Sequence, residues 1–243
     1  MRDFLLFRLY APLAAWGDIA VGEHRPSFAH PSKSAVIGLI AAALGLRRDQ
    51  EEAQRTLAES YSFSVKIDTM GGLLRDYHTI QVPPARKGLI HSTRRSELAF
   101  CTLNTILSSR DYRTDAFYTV AVWGARDPLP YGLDQLVEAL KKPVFTLYLG
   151  RKSCPPSLPL QPRVLCSETL RDAFEDAHFD DTEFLREILP QAGYSPVYWE
   201  SETPNGFDEQ HIIVRRDQPI SVRRRQFSDR REYYASVTTG KEE

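Results

Sequence analysis

An α+β fold is predicted from three observations. Strand and helix signals follow the order β-α-β-β-α-β between Phe4 and Leu149, a long basic insertion interrupts the middle of that order, and a β-rich stretch closes the chain. The 243 residues are 42% hydrophobic and 26% charged, the composition of a globular chain that can bury a core.

Phe4–Tyr10 (FLLFRLY) is short, apolar and aromatic-rich, and reads as a buried first strand. A Gly-, Pro- and His-containing loop (Pro12–Pro31) leads to a helix with Ser32 as N-cap, Val36, Ile37, Ile40 and Leu44 at helical spacing, and Gly45 as its stop. A second helix follows, with Asp49 as cap and Glu52 completing a capping box, running to about Glu59. Tyr61–Ile67 alternates as a strand, and Gly71-Gly72 turns the chain into an extended piece, Leu73–Val82. The basic insertion, Pro83–Thr114, comes next, followed by a strand at Phe117–Trp123. Leu133–Leu140 is an amphipathic helix stopped by Pro143, and Val144–Leu149 is the closing strand. This order is the ferredoxin-like one also used by RNA-recognition domains. Pro155, Pro156, Pro159 and Pro162 mark a boundary, dividing the chain into 1–165 and a C-terminal β-rich part, 166–243, with strands at His211–Arg215, Ile220–Phe227 and Glu232–Thr238.

The formal net charge of −1 conceals segregation. Ala85–Arg113 carries Arg86, Lys87, Arg94, Arg95, Arg110 and Arg113 against Glu97 and Asp111, and Arg215–Arg231 carries seven arginines against Asp217 and Asp229. Glu168–Glu187 instead has eight acids facing Arg171 and Arg186. Such a chain either offers a polyanion one basic face or simply solvates its charges. Three cysteines (Cys101, Cys154, Cys166) without metal-ligand spacing favour reduced thiols and a cytoplasmic location. Arg8 breaks the N-terminal apolar run, so no signal peptide is expected, and the longest apolar run, Ala35–Leu46, is too short to span a bilayer. No H-x-x-H pattern or G-x-S-x-G elbow occurs, and no metal or cofactor is expected.

Three stretches could carry chemistry. In HPSKSAVIGLIAAALGL (His30–Leu46) the glycines of a nucleotide-binding loop are missing. The free amides, Ser32, Ser34 and Lys33 could still hold one anionic oxygen, the alternative being an ordinary capped core helix. In YLGRKSCPPS (Tyr148–Ser157) a glycine precedes Arg151-Lys152-Ser153, which offers phosphate contact and stacking beside Tyr148, or is a plain surface turn. In LRDYHT (Leu74–Thr79), Tyr77 and His78 could serve a ribose 2′-hydroxyl as acid and base with Lys87 or Arg86 at the phosphorane, or could bind or pack without catalysis.

The blocks FRLYAPLAAWG, HRPSFAHPSKSAVIGLIAAALGLRRD, LRDYHT, KKPVFTLYLGRKSCP and RRQFSDRREYY, taken in order, resemble the RAMP proteins of the fifth CRISPR-associated family in their type I-E Cascade form. The likeness spans Phe4–Tyr234 and weakens in the basic insertion and the acidic segment. It implies a ferredoxin-like core with a β-hairpin thumb, and a non-catalytic subunit that grips the 5′ handle of CRISPR RNA and caps one end of the complex. Neighbours would be the backbone and large subunits, with target DNA met through the complex. Matching positions put Trp16, Arg25, Lys33 and Ser34 on one side of the handle and Tyr148, Arg151, Lys152 and Ser153 beside it. Arg110, Tyr112 and Arg113 fall at the thumb base, and Tyr77 and His78 join the RNA-binding set. Relatives in another subtype cleave precursor RNA, so the alternative is a metal-independent endoribonuclease using Tyr77, His78 and Lys87.

Overall fold

Residues Phe4 to Leu9 are consecutively buried, as expected of a strand covered on both faces. In the computed structural model, which describes residues 1–85, 87–99, 102–180, 182–190, 192–200 and 205–238, this strand lies inside a seven-stranded sheet. Arg86, Cys101 and Asp181 fall outside the described residues. In chain order the elements are β1 (Arg2–Tyr10), β2 (Leu13–Ala14), β3 (His24–Arg25), α1 (Lys33–Leu44), α2 (Glu51–Ser60), β4 (Tyr61–Thr69) and β5 (Gly72–Val82). There follow α3 (Arg94–Glu97), β6 (Asn104–Thr114), β7 (Phe117–Gly124), α4 (Leu133–Lys141), β8 (Arg163–Ser167) and α5 (Leu170–Glu175). The last are α6 (Thr182–Ile188), β9 (Tyr194–Trp199), β10 (His211–Ser221) and β11 (Gln226–Thr238). Among the described residues no helix is long and apolar enough to cross a membrane.

The main sheet has the order β10-β11-β9-β4-β7-β1-β8, and its neighbouring strands pair antiparallel. The two-residue period of β1 splits the core: Leu5, Phe7 and Leu9 join Val36, Ile40, Leu57 and Leu136 from α1, α2 and α4. Phe4 and Leu6 face the opposite way, toward Leu170 and Phe174 of α5 and Trp123 and Trp199. Helix α1 has the expected punctuation, since the Ser32 hydroxyl accepts from the Ala35 amide at 3.1 Å and Gly45 sits at φ 78°.

Several expectations are corrected. Asp49 does not cap α2; Gln50 holds that position without a side-chain cap bond. Val144–Leu149 is not a strand, because the Val144 and Phe145 amides donate to Ala43 and Ala42 carbonyls (3.0 and 3.1 Å) in the last turn of α1. The edge beside β1 is filled by β8, paired from Arg2↔Ser167 to Leu6↔Arg163, so the 165/166 boundary falls inside a strand. The C-terminal strands continue the same sheet, β9 pairing with β4 at Ser64↔Trp199. Ile220–Phe227 is interrupted by a turn at 222–225.

The basic insertion supplies the whole second strand of a hairpin, β5–β6, registered from Gly72↔Thr114 to Val82↔Asn104 and belonging to a separate four-stranded sheet with β2 and β3. Gly71, at φ 64°, starts it: a Cβ there would stand 2.0 Å from the Thr114 carbonyl oxygen.

Candidate nucleic-acid interface

The base of the β5–β6 hairpin is three strands wide. β3 runs parallel to β6, with His24 beside Ser109 and Arg25 beside Arg110, and β5 flanks β6 on the other side. The alternation of strand side chains puts His24, Arg75, Tyr77, Ser109 and Asp111 on one face. Arg25, Asp76, His78, Arg110 and Tyr112 share the other.

Asp111 anchors the first face. Its buried carboxylate accepts from Arg75 Nε and Nη2 at 2.8 and 3.1 Å and lies 3.6 Å from His24 Nε2. The Arg75 hydrogen bonds hold the Asp111 carboxyl below the usual carboxylate range. Arg75 and His24 were not singled out from sequence, although Arg75 lies within the quoted LRDYHT stretch.

The loop after Leu149 brings in more positive charge. Leu149 O accepts from the Ala15 amide at 3.0 Å, and Gly150 follows at φ 84°, where a Cβ would lie 1.7 Å from the Ala15 carbonyl oxygen. Only glycine fits this crossing. Arg151 then reaches the hairpin base, donating from Nη1 to Asp111 O and from Nη2 to Arg25 O, both at 3.3 Å, with its guanidinium 4.4 Å from the Tyr112 ring centre. Lys152 and Ser153 are exposed beside it, and Tyr148 is half-buried. Arg25 donates to the Gly22 and His24 carbonyls at 2.6 and 3.0 Å, and Arg113 Nε donates to Phe28 O at 3.1 Å. The expected group Arg25, Arg110, Tyr112, Arg113, Arg151, Lys152 and Ser153 is therefore gathered around one hairpin base. Spare N–H donors on several arginines suit phosphate contact, and the exposed Tyr77 ring offers a stacking surface on the opposite face, the one that carries Arg75.

Three expected residues lie elsewhere. Trp16 is a core residue, edge-on to Tyr118 at 5.6 Å. Its backbone fixes the loop that follows it instead, its amide donating to Ser27 Oγ and its carbonyl accepting from Phe28 N. The Lys33 ammonium is buried 2.7 Å from Glu200, and its amide donates to Asp217 Oδ2 at 2.8 Å. The anion drawn to the N-terminus of α1 is thus the protein's own carboxylate. Ser34 Oγ pairs with Ser32 Oγ at 2.9 Å. Asp217 is also held by Arg230 (2.6 and 2.9 Å), which reaches Glu232 at 2.5 Å, and Arg215 lies 3.4 Å from Glu232. These buried pairs clasp the β10–β11 hairpin to α1, so Arg215 and Arg230 leave the second basic segment's surface.

The catalytic trio is not assembled. Tyr77 and His78 point to opposite faces of the ribbon, and His78 lies 3.4 Å from Asp76 on its own face. Lys87 lies past the end of β5 at Val82, itself about 17 Å along the strand from Tyr77.

Residues 4–233 match the model of a family described as "CRISPR-associated protein (Cas_Cas5)". The chain is 34% identical over 169 residues to the "CRISPR system Cascade subunit CasD" of Escherichia coli (strain K12), covering 66% of this chain and 70% of that protein. A solved "CRISPR RNA-guided surveillance complex" contains a chain that superposes with a TM-score of 0.63 at 26% identity, over 97% of this chain and 90% of that one. A structure described as "Crystal structure of Cas protein" gives 0.59 at 27% identity, over 97% and 95%. From the first buried strand to the C-terminal hairpin, the chain belongs to the CRISPR-associated Cas5 family.

Proposed function

We propose that this chain is the non-catalytic, RNA-binding subunit of a cytoplasmic Cascade-type complex, gripping the 5′ handle of CRISPR RNA and capping one end of the assembly. The observation that carries this reading is the convergence of Arg25, Arg110, Arg113 and Arg151 on the hairpin base, where three separate chain segments meet. A single-stranded handle needs phosphate contacts and rings for its bases, and Tyr77 and Lys152 stand exposed on or beside this base. The names of the similar proteins support membership in a multi-subunit Cascade; in this reading its neighbours are the backbone and large subunits, and target DNA is met through the complex.

The strand order β8-β1-β7-β4, with helices in the connections, supports a ferredoxin-like RAMP core, and β5–β6 is the thumb in this reading. The endoribonuclease reading loses its support in the separation of Tyr77, His78 and Lys87. In the test, full-length protein binds RNA with its own repeat-derived handle more tightly than a scrambled handle, and Arg151→Ala weakens binding and lowers the log–log salt slope by about 0.7. Repeat RNA incubated with it in EDTA stays intact. Equal affinity for the two RNAs would refute handle recognition, and cleavage lost on His78→Ala would restore the enzyme.

A further inference from the structure

The β10–β11 hairpin ends in a turn, Val222–Arg225, with Arg225 at φ 53°. Left-handed backbone is disfavoured for a residue bearing a Cβ, and glycine or asparagine is the usual occupant, so turn geometry does not account for an arginine there. The charges of this hairpin are sorted by burial. Asp217 and Glu232 are buried and paired with Arg215 and Arg230, and Asp217 also accepts the Lys33 backbone amide. Left outside are Arg216, Arg223, Arg224, Arg225 and Arg231, against the single exposed acid Asp229. Among the described residues none of these five arginines takes part in an ion pair.

The turn is held in place on the helices. The Arg224 amide donates to Ser221 Oγ at 3.1 Å, and the same hydroxyl donates to Glu51 in the first turn of α2. That hydroxyl bond leaves the charge of Glu51 in place, so α2 sets an exposed acid on the element packed beside the turn. Glu52 follows it in the same helical turn. Among the described residues of this hairpin tip no exposed ring accompanies the arginines; Phe227, nearest in sequence, is half-buried.

We propose that the tip of the β10–β11 hairpin is a second phosphodiester-backbone site, which takes double-stranded nucleic acid without reading its sequence. Single strands are held by stacking as well as charge, and this tip offers charge alone. A duplex carries a negative charge for about every 1.7 Å of its axis and needs no ring to be gripped. The site is carried by the edge strand of the seven-stranded sheet, whereas the hairpin base assigned to the handle belongs to the four-stranded one.

The test is fluorescence anisotropy of the full-length protein with a short duplex DNA of arbitrary sequence and, separately, with handle RNA, across a salt series. The triple variant Arg223→Gln, Arg224→Gln, Arg225→Gln is expected to lower the duplex log–log salt slope by about 2.7, at about 0.9 per phosphate contact, and to leave handle RNA affinity unchanged. Arg151→Ala is expected to do the reverse; an unchanged RNA affinity there would count against the handle site and leave the duplex comparison standing. Arg225→Gly removes one charge and relieves the backbone, so melting temperature holds or rises while the duplex slope drops by about 0.9. Equal duplex slopes for the wild type and the triple variant would overturn the proposal. So would duplex binding that persists in the triple variant while association with an acidic partner protein is lost, which would make the tip a protein-docking site.

Discussion

Replacing Lys33 by methionine separates a structural role from an RNA-contacting one. Its ammonium is 2.7 Å from Glu200, and both side chains are under 10% exposed. Removing one partner of a buried pair costs about 3–5 kcal/mol, because the other charge is left in a poor solvent. Arg230 Nε, 3.9 Å from Glu200, supplies partial compensation and points to the lower end of that range. For a chain of this size a loss of about 3 kcal/mol lowers the melting temperature by roughly 6–12 °C.

The pH dependence gives a second readout. Burial raises the Glu200 carboxyl, and Lys33 opposes that rise, so Lys33→Met lets it climb further. A carboxyl raised in the fold favours the folded state fully below its unfolded value, about 4.3, and loses that contribution as pH rises through the folded value. The deficit of Lys33→Met is therefore smaller in acid than at neutral pH. Adding Glu200→Gln recovers roughly half of it, since no bare carboxylate remains. Differential scanning calorimetry at two pH values, with an RNA salt titration beside it, decides the matter. An unchanged melting temperature with a lowered salt slope would refute the buried role and return Lys33 to the RNA.

Gly150→Ala sets a left-handed residue against the Ala15 carbonyl, costing about 1–3 kcal/mol from the backbone alone and displacing the Arg151 loop, so stability and RNA affinity fall together; Gly38→Ala, in open space within α1, is the contrasting control, gaining about 0.5–1 kcal/mol of stability with RNA affinity unchanged. Asp111, held low by Arg75, contributes stability above its unfolded value of about 3.9 that is lost as pH falls through the lower folded value. Asp111→Asn removes this acid-side dependence in urea midpoints measured against pH. Tyr77→Ala weakens handle binding by about 1–3 kcal/mol through lost stacking, while Tyr77→Phe leaves it unchanged in the same anisotropy assay.

Local signals in the chain mark local structure well. Ser32 and Gly45 delimit α1, and the β-branched and aromatic run at Phe117–Trp123 becomes β7. Val144–Leu149 has strand-like composition, but its first amides are claimed by carbonyls of α1, a contact between segments far apart in sequence. RVLCS, which does form the strand, is short and preceded by prolines that suggest a linker. The same limit governs the site. Arg151 beside a glycine is visible as a motif, and its carriage to the hairpin base depends on Gly150 crossing Ala15. Lys33 at a helix start has the pattern of an anion site; what fills it, Asp217, is 184 residues away. Tyr77 and His78 are adjacent in sequence and therefore divided by the strand's own period.

The edge-to-edge join of β9 to β4 has a consequence during synthesis. A nascent chain that has not yet reached Tyr194 already contains α1, β4 and β7, but β4 is then an open edge with unpaired backbone groups, and Lys33 has neither Glu200 nor Asp217. The first part of the chain thus emerges from the ribosome with its future interior incomplete, exposed to strand pairing with other nascent chains until the C-terminal strands arrive.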